Sequence, residues 1–320
     1  MFNVQYFLEF EQPLSEIENK IEELRNTKSG SAIHILNEIN FLKKQSEKLT
    51  IDIYSKLTPW QIALIANHPK RPYILDYINN IFTDFHELHG DRMYFDDQAI
   101  IGGLAKFDGF ACMIIGHKKG RNPEERFLHN FGNPRPEGYR KILRLMKLAE
   151  KFNIPIFTFV DNIPYINSKI DENKIEKSEF IGQNLCLISR LKVPIISTII
   201  GESGSVSSLV LSIGNRVLML KYSIYSLISS EIFDSKFWNN LDKKSDEALP
   251  ITANKLKELG LITFVVNEPI GGAHRYPNSM YKILYNTLDE TLRFLKNMTP
   301  EQLVNQRMNL LLSYGYFKNL

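Results

Sequence analysis

The chain has 320 residues, a net charge of +3 and 43% hydrophobic residues, which fits one large core or a core with a small helical appendage. Charged residues make up 23%, which excludes wholesale disorder, and the charge balance is too even to argue for nucleic acid as a main partner. No apolar run approaches the roughly 18 residues of a membrane span, and Met1 to Phe10, which lack a basic stretch and include Glu9, do not read as a signal peptide.

Residues 1–60 read as a helical region and 61–320 as the main domain. Leu14, Ile17, Ile21 and Leu24 recur at helical spacing, Thr27 to Gly30 breaks the pattern, and Ile35, Ile39 and Leu42 resume it, which predicts a helical hairpin. Thr58-Pro59-Trp60 reads as an N-cap followed by proline at the first helical position, and Pro72 to Phe82 gives a short helix. From Ala99 the texture changes. Ala99–Phe107 and Phe110–Gly116 are strand-like, with Asp108-Gly109 as a hairpin turn. After a polar loop, helices are expected over Pro136–Phe152, Ser178–Leu191 and Ser205–Ile213. They alternate with apolar strands over Pro155–Val160 and Val193–Ile200. Arg216–Leu220, Ser226–Ile228 and Leu261–Val266 are strand-like, Leu256–Leu259 closes a helix, and Pro277–Leu312 is helical with a restart at Pro300. Strand and helix in alternation argue for βαβ units, whose ligands bind at the carboxyl ends of the strands. Cys112 and Cys186, each in an apolar run, read as buried free thiols in a reducing cytoplasm, and no Cys/His cluster has metal-ligand spacing.

Two strand ends carry candidate chemistry, at Asp161 and at Gly201. Gly201-Glu202-Ser203-Gly204-Ser205-Val206-Ser207-Ser208 follows a buried strand and opens a helix, so its N–H groups lack internal acceptors and suit a developing oxyanion. The same residues also fit a tight turn with no ligand. A hydrolase elbow, Gly-x-Ser-x-Gly, fails at Ser205. Gly116-His117-Lys118-Lys119-Gly120-Arg121 presents clustered positive charge at another strand end, either to phosphate oxygens or to solvent. It is not a phosphate-binding Walker loop. Asn130 to Lys141, with Gly132, Pro134 and Pro136, reads as a rigid loop and helix start, and Gly271 to Arg275 as a structural glycine turn.

Collinear segments then carry a resemblance that extends nearly end to end. They are Phe7-Leu8-Glu9-Phe10-Glu11-Gln12-Pro13, Trp60-Gln61-Ile62-Ala63, His68-Pro69-Lys70-Arg71-Pro72-Tyr73 and Leu75-Asp76-Tyr77. Further along stand Gly90-Asp91-Arg92, the Gly116–Arg121 loop, Asn130-Phe131-Gly132, Pro136-Glu137-Gly138-Tyr139-Arg140-Lys141, Pro269 to Arg275 and Leu312-Ser313-Tyr314-Gly315-Tyr316. In these the chain resembles the α subunits of bacterial acetyl-CoA carboxylase carboxyltransferase. The resemblance implies an α/β, crotonase-like fold, a spiral of ββα units with an N-terminal helical hairpin. It implies transfer of a carboxyl group from biotin, held on the biotin carboxyl carrier protein, to acetyl-CoA, giving malonyl-CoA for fatty acid synthesis. It also implies a carboxyltransferase β subunit that carries the zinc, with no metal in this chain, an α2β2 assembly, and biotin carboxylase as a further partner in the cytoplasm. The site residues it implies are the backbone N–H groups of Val206 and Ser207 as oxyanion donors. Gly116, His117, Lys118, Gly120, Arg121, Tyr139 and Gly204 are expected on the substrate side.

The chain departs from that family's pattern at three loops. Where similar chains read Gly-Glu-Gly-Gly-Ser-Gly-Gly-Ala, this one places Ser203, Val206, Ser207 and Ser208 at the third, sixth, seventh and eighth positions. Asp161-Asn162-Ile163-Pro164-Tyr165-Ile166-Asn167-Ser168 stands for Asp-Thr-Pro-Gly-Ala-Tyr-Pro-Gly, and Ser229-Ser230-Glu231-Ile232 for Ser-Pro-Glu-Gly. A positive φ at Val206 would strain a β-branched residue. Three readings stand: an active carboxyltransferase subunit, a degenerate subunit kept as a structural partner, and another acyl-CoA enzyme of crotonase type.

Overall fold

The computed structural model describes residues 7–26, 32–163, 174–204, 206–225 and 251–315. Two short strands, β4 (Ile156–Val160) and β5 (Ile195–Ile199), are buried at every position. Strands covered on both faces belong inside a parallel sheet, and both lie there. The sheet has seven strands in the order β1 (Thr83–Glu87), β2 (Ile100–Phe107), β3 (Phe110–His117), β4, β5, β7 (Arg216–Leu220) and β10 (Phe264–Val266). From β3 to β10 every pairing is parallel, and β1, β2 and β3 run antiparallel. The β2–β3 hairpin turns at Asp108 and Gly109, with φ of 49° and 77°. Both positive angles match the tight turn that an Asp-Gly pair signals.

Helices cover both faces. On one side α4 (Ile74–Ile81) and α10 (Pro277–Lys296) bury Tyr77, Ile78, Leu284 and Leu288 against Ile114, Phe157 and Phe159. On the other, α6 (Pro136–Lys151), α7 (Lys174–Arg190), α8 (Val206–Ser212) and α9 (Ala253–Glu258) pack on Met113, Ile156 and Ile195. A second, three-stranded sheet, β6 (Glu202–Ser203), β8 (Ile224–Tyr225) and β9 (Ile251–Thr252), continues from the end of β5. The expected strand at Ser226–Ile228 lies outside the described residues.

The N-terminal hairpin is α1 (Gln12–Asn26) and α2 (Ala32–Ser55). Its root is buried. Tyr54 donates to Glu11 Oε1 at 2.6 Å, Leu8 N–H donates to Glu11 Oε2 at 3.0 Å, and Arg275 reaches Glu18 from the glycine turn. Burial pushes the Glu11 carboxyl up, but the nearby His274 and hydrogen bonds from Tyr54 and Leu8 outweigh it and hold the group at about 2. Two proline-started helices are capped as their sequences require. Thr58 accepts from Gln61 N–H at 3.2 Å at the head of α3 (Pro59–Ala66), and Thr299 accepts from Gln302 N–H at 3.3 Å at the head of α11 (Pro300–Leu312). From α11 the wholly buried Arg307 donates to the carbonyls of Ile188, Leu191 and Val193 and to Asn215 Oδ1. It thereby caps α7. Burial brings its pKa down to about 10.

Two expectations need correction, and one strand went unread. Thr83–Glu87 forms an edge strand that its polar sequence does not announce, and the polar loop after β3 contains α5 (Pro123–Leu128). Cys112 is buried, its thiol pushed up to about 12 by burial, but Cys186 is exposed on α7.

Candidate active site

The carboxyl ends of β3, β4 and β5 lie side by side, and three buried polar stretches leave them. Asp161 follows β4 and is 2% exposed. Its Oδ1 accepts from Lys119 Nζ at 2.8 Å and from Glu202 N–H at 3.1 Å. The carboxylate lies over the backbone of Gly201, where an added Cβ would stand 2.2 Å from Asp161 Oδ1. Gly201 therefore owes its identity to a close approach. Asp161 N–H points at His117 Nδ1, 3.4 Å away.

One residue further, Asn162 N–H donates to Glu202 O at 2.9 Å. Its side chain joins two neighbours: Nδ2 donates to Asn133 Oδ1 at 3.0 Å, and Oδ1 accepts from Ser208 Oγ at 2.6 Å. Ser208 Oγ accepts in turn from Gly204 N–H at 3.2 Å. Asn133 follows a loop in which Asn130, Phe131 and Gly132 all have positive φ, and Gly132 packs against the Asp161 carbonyl. Two consecutive non-glycine residues in the left-handed region carry strain of about 1–3 kcal/mol each. Backbone strain of this kind collects at functional sites.

The turn from Gly201 leads into α8, whose first two residues are Val206 and Ser207. Both have right-handed helical backbone, so neither position requires glycine's freedom. As the opening residues of a helix they have N–H groups with no intrahelical acceptor.

The basic loop divides into parts with different surroundings. Lys119 is buried in the ion pair with Asp161. Arg121 stacks on Tyr73, 4.6 Å from the ring centre, and its guanidinium is paired with Asp76. Lys118 is half-buried, its backbone N–H donates to Ala99 O at 2.8 Å, and its ammonium makes no ion pair among the described residues. Gly116 is a packing glycine, since a Cβ there would stand 2.2 Å from Ile74 Cδ1. Gly120 has φ +81° and would meet Arg126 N at 2.6 Å. Tyr139 is wholly buried in the core on α6, with its carbonyl accepting from Asn184 at 3.0 Å, so it backs the site instead of lining it.

Other motif residues pair with one another. Arg140 meets Asp91 at 2.7 Å, and the buried Lys141 meets Asp96 and Ile100 O, each at 2.8 Å. Arg71 makes a two-pronged bond to Glu268 at 2.9 and 2.7 Å and also holds Ile200 O at 2.9 Å. Sequence reasoning missed this pair. A basic residue between proline-flanked positions offered a weak pointer, but nothing near it named an acid 197 positions away.

The sheet, with helices on both faces, is a crotonase-like α/β fold. Transcarboxylase 12S, solved with methylmalonyl-coenzyme A and methylmalonic acid bound, superposes with a TM-score of 0.53 at 14% identity, over 74% of this chain and 44% of that one. That likeness is one of fold. The family model "Acetyl co-enzyme A carboxylase carboxyltransferase-like" matches residues 7–315. Over 316 residues the chain is 58% identical to the acetyl-coenzyme A carboxylase carboxyl transferase subunit alpha of Bordetella avium (strain 197N), covering 98% of each chain. The protein of the same name from Azoarcus sp. (strain BH72) is 53% identical over 316 residues, again 98% of each. The chain belongs to the acetyl-coenzyme A carboxylase carboxyltransferase α-subunit family.

Proposed function

We propose that the chain works with a carboxyltransferase β subunit to move a carboxyl group from biotin on a carrier protein to acetyl-CoA, forming malonyl-CoA for fatty acid synthesis. The observation that carries this reading is the family match over residues 7–315. The described geometry agrees with it. A neutral set of backbone donors, at the first turn of α8, stands beside the buried ends of β4 and β5.

Biotin on the carrier supplies the carboxyl group. This chain's part is to hold charge on a carbonyl oxygen as the transfer proceeds. The N–H groups of Val206 and Ser207 donate to that oxygen. Donors fixed by a helix need no reorganisation, and they bind a charged oxygen more strongly than a neutral one. Such a pair fits the uncharged carbonyl of biotin, which becomes an acceptor of charge only in the reaction. Gly204 keeps the approach open in front of them. Lys118 is the cation available to a phosphate of coenzyme A, with Arg121 able to join it by leaving Asp76. Gly116, His117 and Gly120 shape the loop that presents both, and Tyr139 supports it from the core.

The proposed assembly is α2β2, with zinc in the β subunit, and biotin carboxylase and the carrier protein complete the enzyme. Among the described residues no helix is long and apolar enough to cross a membrane, and the proposed location is the cytoplasm. The test is malonyl-CoA formation by the chain co-purified with its β subunit, given carboxylated carrier and acetyl-CoA. Turnover that requires both subunits supports the reading. A stable complex that forms no malonyl-CoA would leave the chain a structural partner.

A further inference from the structure

We infer that Ser208 and Asn162 are positioning residues, whose side chains lock the turn bearing the Val206 and Ser207 N–H groups onto the loop that follows β4. The inference rests on the carboxyltransferase reading for its catalytic meaning, and on the hydrogen-bond geometry for the lock itself.

Both ends of the chain of bonds have fixed polarity. Gly204 N–H can only donate, so Ser208 Oγ accepts from it at 3.2 Å, and the hydroxyl proton is left for Asn162 Oδ1 at 2.6 Å. Asn162 must then turn its Nδ2 to Asn133 Oδ1 at 3.0 Å. Asn133 Nδ2 in turn donates to the carbonyl of Ile163 at 2.8 Å, a group that can only accept. Ser208 and Asn162 are 0% exposed and Asn133 8%, so water does not compete along the path. The bond from Gly204 to Ser208 spans residues 205–207, and the bond from Ser208 to Asn162 ties that span to β4. Ser208→Ala removes the hydroxyl, and Asn162→Thr removes the amide that passes the bond to Asn133.

The experiment uses the full chain assembled with its β subunit. It compares the native protein with Ser208→Ala, Asn162→Thr and the double variant. The readouts are kcat, KM for acetyl-CoA, and amide hydrogen exchange in peptides covering residues 203–208. Each single variant should lower kcat by roughly ten- to a hundredfold while KM stays within about twofold, as expected when donors are displaced. The double variant should be no worse than the poorer single one, because one path is broken either way. Exchange in that segment should rise in all three. Unchanged exchange in Ser208→Ala overturns the lock. Raised exchange with unchanged kcat overturns its positioning role. If the native complex makes no malonyl-CoA, the reaction reading fails, and exchange alone decides whether the lock exists.

Discussion

Two buried ion pairs stand at the carboxyl ends of parallel strands, one after β4 and one after β10, and they are built differently. Glu268 is closed on every side. Arg71 takes both its oxygens, and the N–H groups of Tyr222 and Ala273 add bonds at 2.8 and 2.9 Å. Burial raises the Glu268 carboxyl, but Arg71 and these N–H groups bring it below the usual range. Among the described residues Asp161 is bonded at one oxygen, to Lys119 and Glu202 N–H. Its neighbours are a strained loop, a second sheet and the first turn of a helix. The closed pair fastens the end of β5 to the 268–273 turn. The other lies at the turn that leads into α8. Burial alone therefore does not separate scaffold from site; the completeness of the bonding around the charge does.

This contrast can be broken by experiment. The largest expected effect is on the scaffold pair. Arg71→Ala leaves an unpaired buried carboxylate and should cost about 3–5 kcal/mol in chemical denaturation, with kcat near native in whatever folds. Asp161→Asn keeps the shape but strands Lys119. It should cost about 1–3 kcal/mol while lowering kcat by roughly tenfold or more. If the two variants lost stability and kcat in the same proportion, the distinction between them would collapse.

The root of the N-terminal hairpin sharpens the comparison through pH. Glu11 has a folded pKa of about 2 against the ordinary 4.5. A depressed acid stabilises the fold fully above its unfolded pKa and loses that contribution as pH falls toward the folded value. Stability should decline by about 2–3 kcal/mol between pH 4.5 and 2. Glu11→Gln should flatten that slope, measured by urea unfolding at several pH values. A smaller effect is expected at the open loop. Lys118→Ala should raise KM for acetyl-CoA by about three- to tenfold, the worth of one charged contact, with a thermal midpoint close to native. A KM that does not move would return Lys118 to solvent.

Much of this architecture was legible in the sequence because its rules are local. Asp108-Gly109 needs two positive φ angles and has them, and Thr58 and Thr299 cap helices that proline begins. Mostly apolar runs marked β4 and β5. The edge strand Thr83–Glu87 escaped because one face is open and its residues are polar, and α5 because six residues carry too short a period to detect. The site was legible in outline at Asp161 and Gly201. Its wiring was not. Lys119 and Lys118 are adjacent in one basic run, yet one is buried in an ion pair and the other is half-buried without one among the described residues. The contact of Asn162 with Ser208 spans 46 positions, and the partnership of Arg71 with Glu268 spans 197. Only the folded sheet brings them together. Tyr139, expected on the substrate side, sits on the core face of α6.

The central claim is that the backbone N–H at Val206 acts on the reacting carbonyl. Proline removes that one N–H, and the first position of a helix tolerates it. Val206→Pro, assembled with the β subunit, should keep a native thermal midpoint and lose about 10²–10³ in kcat, the size of one oxyanion donor. A well-folded Val206→Pro complex with native turnover would contradict the account.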